Sequence, residues 1–204
     1  MTSRVERRKA ATRRKLIDAA RTLLAREGAQ QSSIQEITEA ADVGFGSFYN
    51  HFESKAELFQ VAIADVLEEI GQTLDRIRAD IDDPAEAFTL SVRVTARAVR
   101  ANPQIARVVD QYGLSYLDSE YGLAPRALAD IRAAVDAGRF HLVDPYLALA
   151  STGGSLLALL HLWLARPGLV GDTAWDDLAE QLLRSFGMDP AEARAIATRP
   201  LPQA

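Results

Sequence analysis

The apolar positions at Leu16, Ile17, Ala20, Leu23 and Leu24 keep the spacing of one stripe along a helix. Gly28 is expected to stop that helix. The pattern resumes at Ile34, Ile37 and Ala41, and Ser33 with Glu36 reads as a capping box at its start. Asp42-Val43-Gly44 then interrupts the period with turn chemistry. Phe48 and Phe52 restore a helical spacing, and Ser54 with Glu57 reads as a second capping box. A long apolar series follows at Leu58, Phe59, Ala62, Ile63, Val66, Leu67, Ile70, Leu74, Ile77 and Ile81. It predicts one helix from Ser54 to Ile81, about seven turns or roughly 37 Å at 1.5 Å per residue.

Beyond it the punctuation repeats. Asp83-Pro84 (with Glu86 closing a box), Asn102-Pro103, Asp144-Pro145 and Asp189-Pro190 (with Glu192) each read as an N-cap followed by a first-turn proline. They divide the chain into helices near 84–101, 103–112, 118–137, 145–165, 173–186 and 190–197. Pro125 requires a kink or a later start in the third of these, and Gly138 suits its end. The fold class expected is all-α with about nine or ten helices. The organisation expected is a basic arm and helix-turn-helix head over 1–53 (motif about 33–52), a connecting helix over 54–81, and a C-terminal effector-binding and dimerisation domain over 82–204.

Helix, three-residue turn and helix over 33–52 is the arrangement whose second helix enters the DNA major groove. Gly44 and Gly46 in its first turn each cost about 1 kcal/mol of helix propensity, a cost that fits a backbone brought close to another surface. Tyr49 and His51 can donate to phosphates, Asn50 can pair with an adenine edge, and Phe45 can press on a thymine methyl. Lys55 adds a point charge. Phe48 and Phe52 are read as core. Val43-Gly44-x-Gly46-Ser47-x-Tyr49-x-His51-Phe52-x-Ser54-Lys55-x-x-Leu58 resembles the DNA-binding head of the TetR family of bacterial transcriptional regulators. Carried over position by position, the resemblance implies DNA contacts at Ser33, Gly44, Phe45, Gly46, Ser47, Tyr49, Asn50, His51 and Lys55. Phe45 departs from the small or basic residues commoner there, leaving open whether its ring reads a base or folds back.

Charge changes the picture. The chain of 204 residues carries a net −5, which taken alone argues against nucleic acid. Its distribution argues the other way, because residues 1–26 hold nine Lys/Arg against two Asp/Glu. The first helix is expected to begin disordered within Arg4–Lys15 and to deliver Arg7 to Arg14 near phosphates. The absence of cysteine excludes disulfides and thiolate metal sites and suits a reducing cytoplasm. Arg and Lys after Met1, in place of an apolar run, give no sign of a signal peptide. The localisation expected is bacterial cytoplasm, on the nucleoid when DNA-bound.

Residues 145–165 carry no charge, which raises the question of a membrane span. Ser151, Thr152, Gly153, Gly154, Ser155 and His161 make too polar a middle, and no membrane partner is expected. Ser151, Gly154, Ala158, His161 and Ala165 form a small-residue stripe opposite Leu149, Leu156, Leu160 and Trp163. With Trp175, Leu178 and Leu182 of the next helix, the stripe is expected to form a four-helix homodimer seam, in keeping with what the resemblance implies. The resemblance also implies a cavity for a small-molecule effector, with Phe88, Val92, Tyr112, Tyr116, Tyr121, His161 and Trp163 as candidate lining residues and an apolar or aromatic ligand.

The expected function is a ligand-responsive regulator, in the first instance a repressor, that binds a palindromic double-stranded operator as a dimer. No catalytic residue, metal site or cofactor is expected. His141 and His161 are separated by a proline-initiated helix, and no nucleophile-elbow, P-loop or His-Glu-x-x-His motif is present. The alternatives are a dimeric helical adaptor or an activator without small-molecule release and, more remotely, an all-helical enzyme.

Overall fold

The computed structural model describes residues 3–24 and 31–202, so the helix stop expected at Gly28 lies outside the described residues. Among them it contains no strand and ten α-helices. They are α1 (Arg4–Leu24), α2 (Ile34–Ala40), α3 (Phe45–Phe48), α4 (Lys55–Ile77), α5 (Pro84–Arg100), α6 (Pro103–Tyr112), α7 (Leu123–Asp136), α8 (Pro145–Ala165), α9 (Ala174–Ser185) and α10 (Pro190–Ala197).

Local chemistry sets most of these boundaries. Ser33 and Glu36 form the reciprocal capping box of α2. Asp83, Asn102, Asp144 and Asp189 all accept backbone N–H groups in front of a first-turn proline. Three details differ from expectation. The Glu57 carboxylate reaches back to the amide of Glu53, although Ser54 caps α4 as expected. Glu86 and Glu192 do not close boxes but pair with Arg199 and Arg139. The basic segment is helical from Arg4 onward, because Ser3 caps it through Glu6 at 3.1 Å.

Two boundaries shift. α4 ends at Ile77, one turn short of Ile81, where Arg78 takes the C-cap and the chain turns through residues 78–80 before Asp83. α7 begins only at Leu123, which places Pro125 in its first turn, where the missing N–H costs nothing. Gly138 follows α7 with φ +69°, the left-handed conformation that glycine tolerates.

The core has two parts. One runs from α1 through α2, α3 and the first half of α4 (Leu16, Ile37, Phe48, Phe52, Leu58, Ile63) and continues without a break into Val99, Ala106 and Val108 of α5 and α6. The other joins α5, α7, the start of α8, α9 and α10 around Phe88, Phe140 and Phe186, whose ring centroids lie 5.2–5.8 Å apart. Arg93 is buried between α5 and α9 and is satisfied by Asp176 and the Arg199 carbonyl, each at 2.7 Å.

Candidate nucleic-acid interface and effector cavity

α2 lies against α1 and α3 against α2, and the turn between α2 and α3 is made by Asp42 with φ +52°, not by glycine. Gly44 is extended and serves as N-cap of α3, which spans one turn where the sequence promised two. Residues 49–51 continue as turns. Phe48 and Phe52 are fully buried, as expected. Their burial fixes the rotation of α3 and turns Gly44, Phe45, Gly46, Tyr49 and Asn50 outward. Phe45 and Tyr49 are 53% and 57% exposed and meet edge to face at 6.1 Å, so the Phe45 ring does not fold back into the core. Among the described residues, a Cβ placed on Gly46 would meet no atom within 4 Å, and one on Gly44 only the Ser47 hydroxyl at 3.9 Å. The smallness of these residues therefore serves nothing inside the head.

The remaining candidates divide. Ser33 gives its amide and its hydroxyl to Glu36. The Lys55 ammonium donates to the Ser32 carbonyl at 3.0 Å and braces the start of α2. His51 is half-buried, and burial, followed by the nearby charges of Lys9 and Arg13, pushes its pKa below the ordinary histidine value. Its Nδ1 is enclosed and meets no partner among the described residues. Arg13 lies over the Phe52 ring at 4.9 Å. Lys9 and Arg13 are thus the α1 cations beside the end of α3, a choice that periodicity did not make. Arg14 is not among them, being held by Asp18 and Asp65 at 2.8 and 3.0 Å.

Between α4, α5, α6, α7 and α8 lies a cavity of about 150 Å³ with predominantly apolar walls. Phe88, Val92, Tyr116 and Tyr121 line it as expected. Tyr112, His161 and Trp163 do not. Tyr112 packs on the core, His161 points outward to Asp110 at 3.0 Å, and Trp163 stacks on Arg100 at 5.3 Å. Tyr116 donates to the Gln60 carbonyl, and burial raises its pKa.

One end of the cavity is polar, and none of it was anticipated. Arg78, Arg126 and Asp130 line it. Arg126 spans two turns of α4, taking both Glu68 oxygens at 2.8 and 2.9 Å and Asp75 at 2.8 Å. Arg78, the C-cap of α4, pairs with Asp75 at 2.8 Å and with Asp130. Among the described residues, the wall carries two buried polar atoms that meet no hydrogen-bond partner within normal geometry, Trp175 Nε1 and Asp130 Oδ2, the latter on a carboxylate that Ser91 also faces. A signal existed: Asp130 sits on the apolar stripe of α7 with Ala127, Ile131 and Ala134, where a charge needs a reason.

The expected dimer stripe splits in the same way. Ser151, Ala158, His161 and Ala165 are exposed and Gly154 is half-buried. Trp175 and Leu182 are each 4% exposed, packed in the chain's own core, and Leu178 packs against that core. Those two side chains cannot face a partner, which corrects the expectation for them. α8 is long and apolar enough to cross a membrane by length and composition. Among the described residues no group of acidic, histidine or cysteine side chains could hold a metal ion.

Residues 16–62 match the model of bacterial regulatory proteins of the tetR family, and residues 83–199 match the tetracyclin repressor-like C-terminal domain. The structure is similar to RolR crystallised with resorcinol, at 34% identity over 97% of this chain and 98% of that one, with a TM-score of 0.80. Over shorter stretches the chain is 37% identical to the repressor DhaR of Mycobacterium sp. (strain GP1), covering 31% of this chain and 34% of DhaR. It is 26% identical to the repressor KstR of Mycolicibacterium smegmatis, covering 48% of each. The chain spans about half the length of an HTH-type regulator of Mycobacterium tuberculosis that it also matches.

Proposed function

Since the chain belongs to the TetR family of transcriptional regulators, and is a regulator and not an enzyme, we propose that it represses transcription by binding a near-palindromic operator as a homodimer and lets go when a small, largely apolar effector fills its cavity. Residues 1–53 form the DNA-reading head, 54–81 the connector, and 82–204 the effector-binding and dimerisation domain. The protein acts in the bacterial cytoplasm, on the nucleoid when bound.

The observation that carries this reading is the outward face of α3. Two glycines whose missing side chains leave open space stand beside exposed Phe45, Tyr49 and Asn50. Such a face lets the backbone approach phosphates while side chains reach base edges. Lys9 and Arg13 supply charge beside it, and Ser33, Ser47 and His51 supply hydrogen-bonding groups. Lys55 adds a point charge for the DNA backbone beside the start of α2, where its ammonium also reaches the Ser32 carbonyl.

The dimer seam is proposed along Ser151, Gly154, Ala158, His161 and Ala165 of α8, joined by the outer edge of α9 near Leu178. The polar atoms on this face, with the neighbouring His161–Asp110 pair, favour a second protein chain over lipid. The effector site is supported by the cavity and by the resorcinol complex of RolR, whose ligand is a single ring. Selection of bound fragments from genomic DNA by the purified protein tests the reading. Recovery of one palindromic sequence is expected, and enrichment of no sequence over random competitor would overturn it.

A further inference from the structure

Phe45 packs into neither part of the core. It is 53% exposed, and the one ring it meets among the described residues is Tyr49, edge to face at 6.1 Å. Its chain neighbours, Gly44 and Gly46, have no side chains to cover it. Tyr49 in turn stands edge to face on Phe48 at 5.3 Å, and Phe48 is fully buried. The three rings form a stair from the core to the surface, so the packing of Phe48 sets where Phe45 points. A ring with two torsions, already held by a neighbour, loses little freedom when it makes a contact.

What such a ring can touch follows from the groove it would face. On the DNA-reading assignment of α3, which is taken here as the premise, Phe45 is the first residue of the reading helix, the part that meets base edges. Guanine, cytosine and adenine present donors or acceptors in the major groove. A phenyl ring pressed on one of these strips water from a polar atom and returns no hydrogen bond. The thymine C5-methyl is the apolar feature of that groove, and removing it and the ring from water together is favourable. Lys9 and Arg13, the cations beside the end of α3, suit the phosphates flanking a base better than an apolar patch on another protein.

We infer that Phe45 is a specificity-determining residue that reads the methyl group of one thymine in each operator half-site. Tyr49 backs the ring and positions it. Uracil keeps every hydrogen-bonding atom of thymine and lacks only the methyl, so it is the poorer partner at that place.

Fluorescence anisotropy of the full-length protein on labelled duplexes of the operator recovered by genomic selection tests this, with each thymine of one half-site replaced in turn by deoxyuridine. At one position the replacement is expected to weaken binding by about fourfold, the worth of burying one such carbon group. Phe45→Ala is expected to bind the unmodified operator more weakly and to treat thymine and uracil there alike, within about 1.5-fold, because the coupling between two contacting groups vanishes when either is removed. Uracil tolerated at every position, or the same loss in a folded Phe45→Ala variant as in the parent, would overturn the inference. The scan in the parent protein needs no variant to fold. A protein that enriches an operator yet ignores every thymine methyl loses only this inference, whereas enrichment of no sequence removes the DNA reading with it.

Discussion

A Cβ on Gly71 would stand 2.8–2.9 Å from the guanidinium of Arg126, so the absence of a side chain in the middle of α4 is what lets that group lie flat across the helix between Glu68 and Asp75. Mid-helix glycine costs about 1 kcal/mol relative to alanine, and here the missing side chain leaves room for the Arg126 guanidinium, which a larger residue would make shift. Gly71→Ala is therefore expected to change stability at pH 7 by no more than about 1 kcal/mol, because the propensity gain offsets the displaced ion pairs. The response of operator binding to effector should nevertheless weaken. Denaturant unfolding and effector titration of the DNA complex check the two halves.

The same contact has an acid signature. Arg126 holds the Glu68 carboxyl down to about 2. Stability from this depressed group is present above the unfolded pKa near 4.3 and is lost as pH falls through the folded value. The unfolding midpoint of the parent protein should drop between pH 4.5 and 2 more steeply than that of Gly71→Ala, in which Glu68 loses part of its hold on Arg126 while keeping its contacts with Gln72 and Gly122. Parallel slopes in the two proteins would contradict the assignment.

Gly46→Leu should leave the fold intact, since a Cβ there meets open space, yet it should remove operator binding by holding the backbone off the DNA. Tyr49→Ala should weaken operator binding by about tenfold or more with little change in melting temperature. Fluorescence anisotropy with a labelled operator, alongside thermal denaturation, checks both. Normal binding by Gly46→Leu would move the interface away from α3.

Operator affinity should fall linearly with salt on logarithmic axes as counterions are released. Neutralising Lys9 or Arg13 to glutamine should reduce the slope by about 1 each where the residue touches phosphate. Arg14→Gln, which loses ion pairs to Asp18 and Asp65, should leave the slope unchanged and lower stability instead.

Gly154 is half-buried on α8, and a Cβ there meets no atom within 4 Å among the described residues. Gly154→Glu should therefore yield helical monomers in sedimentation. An unaltered dimer would place the seam elsewhere.

Caps were legible because they are local: Ser33, Asp83, Asn102, Asp144 and Asp189 need only their own next three residues to satisfy a backbone amide. The head was legible for a related reason, since Phe48 and Phe52 fix the outward direction of Gly46 and Tyr49 within one turn. Partner choice was not. The stripe Trp175, Leu178 and Leu182 says that α9 has an apolar face, but only the packing shows that Trp175 and Leu182 meet their own chain. Likewise Lys55 and Arg14 look like free cations until Ser32 and Asp65 arrive from elsewhere in the fold. The polar end of the cavity joins α4 to α7 across about fifty residues, a separation no periodicity spans.

The unbroken core between the head and α6 bears on how such proteins can be recombined. Leu58, Ile63 and Leu67 of α4 belong to the same apolar cluster as Ala106 and Val108, so a fragment ending at the connector would present a bare oily flank to water. A hybrid sensor that transplants this reading head onto a foreign body must bring α6 with it, or supply a matching surface, to stay soluble and keep its aim.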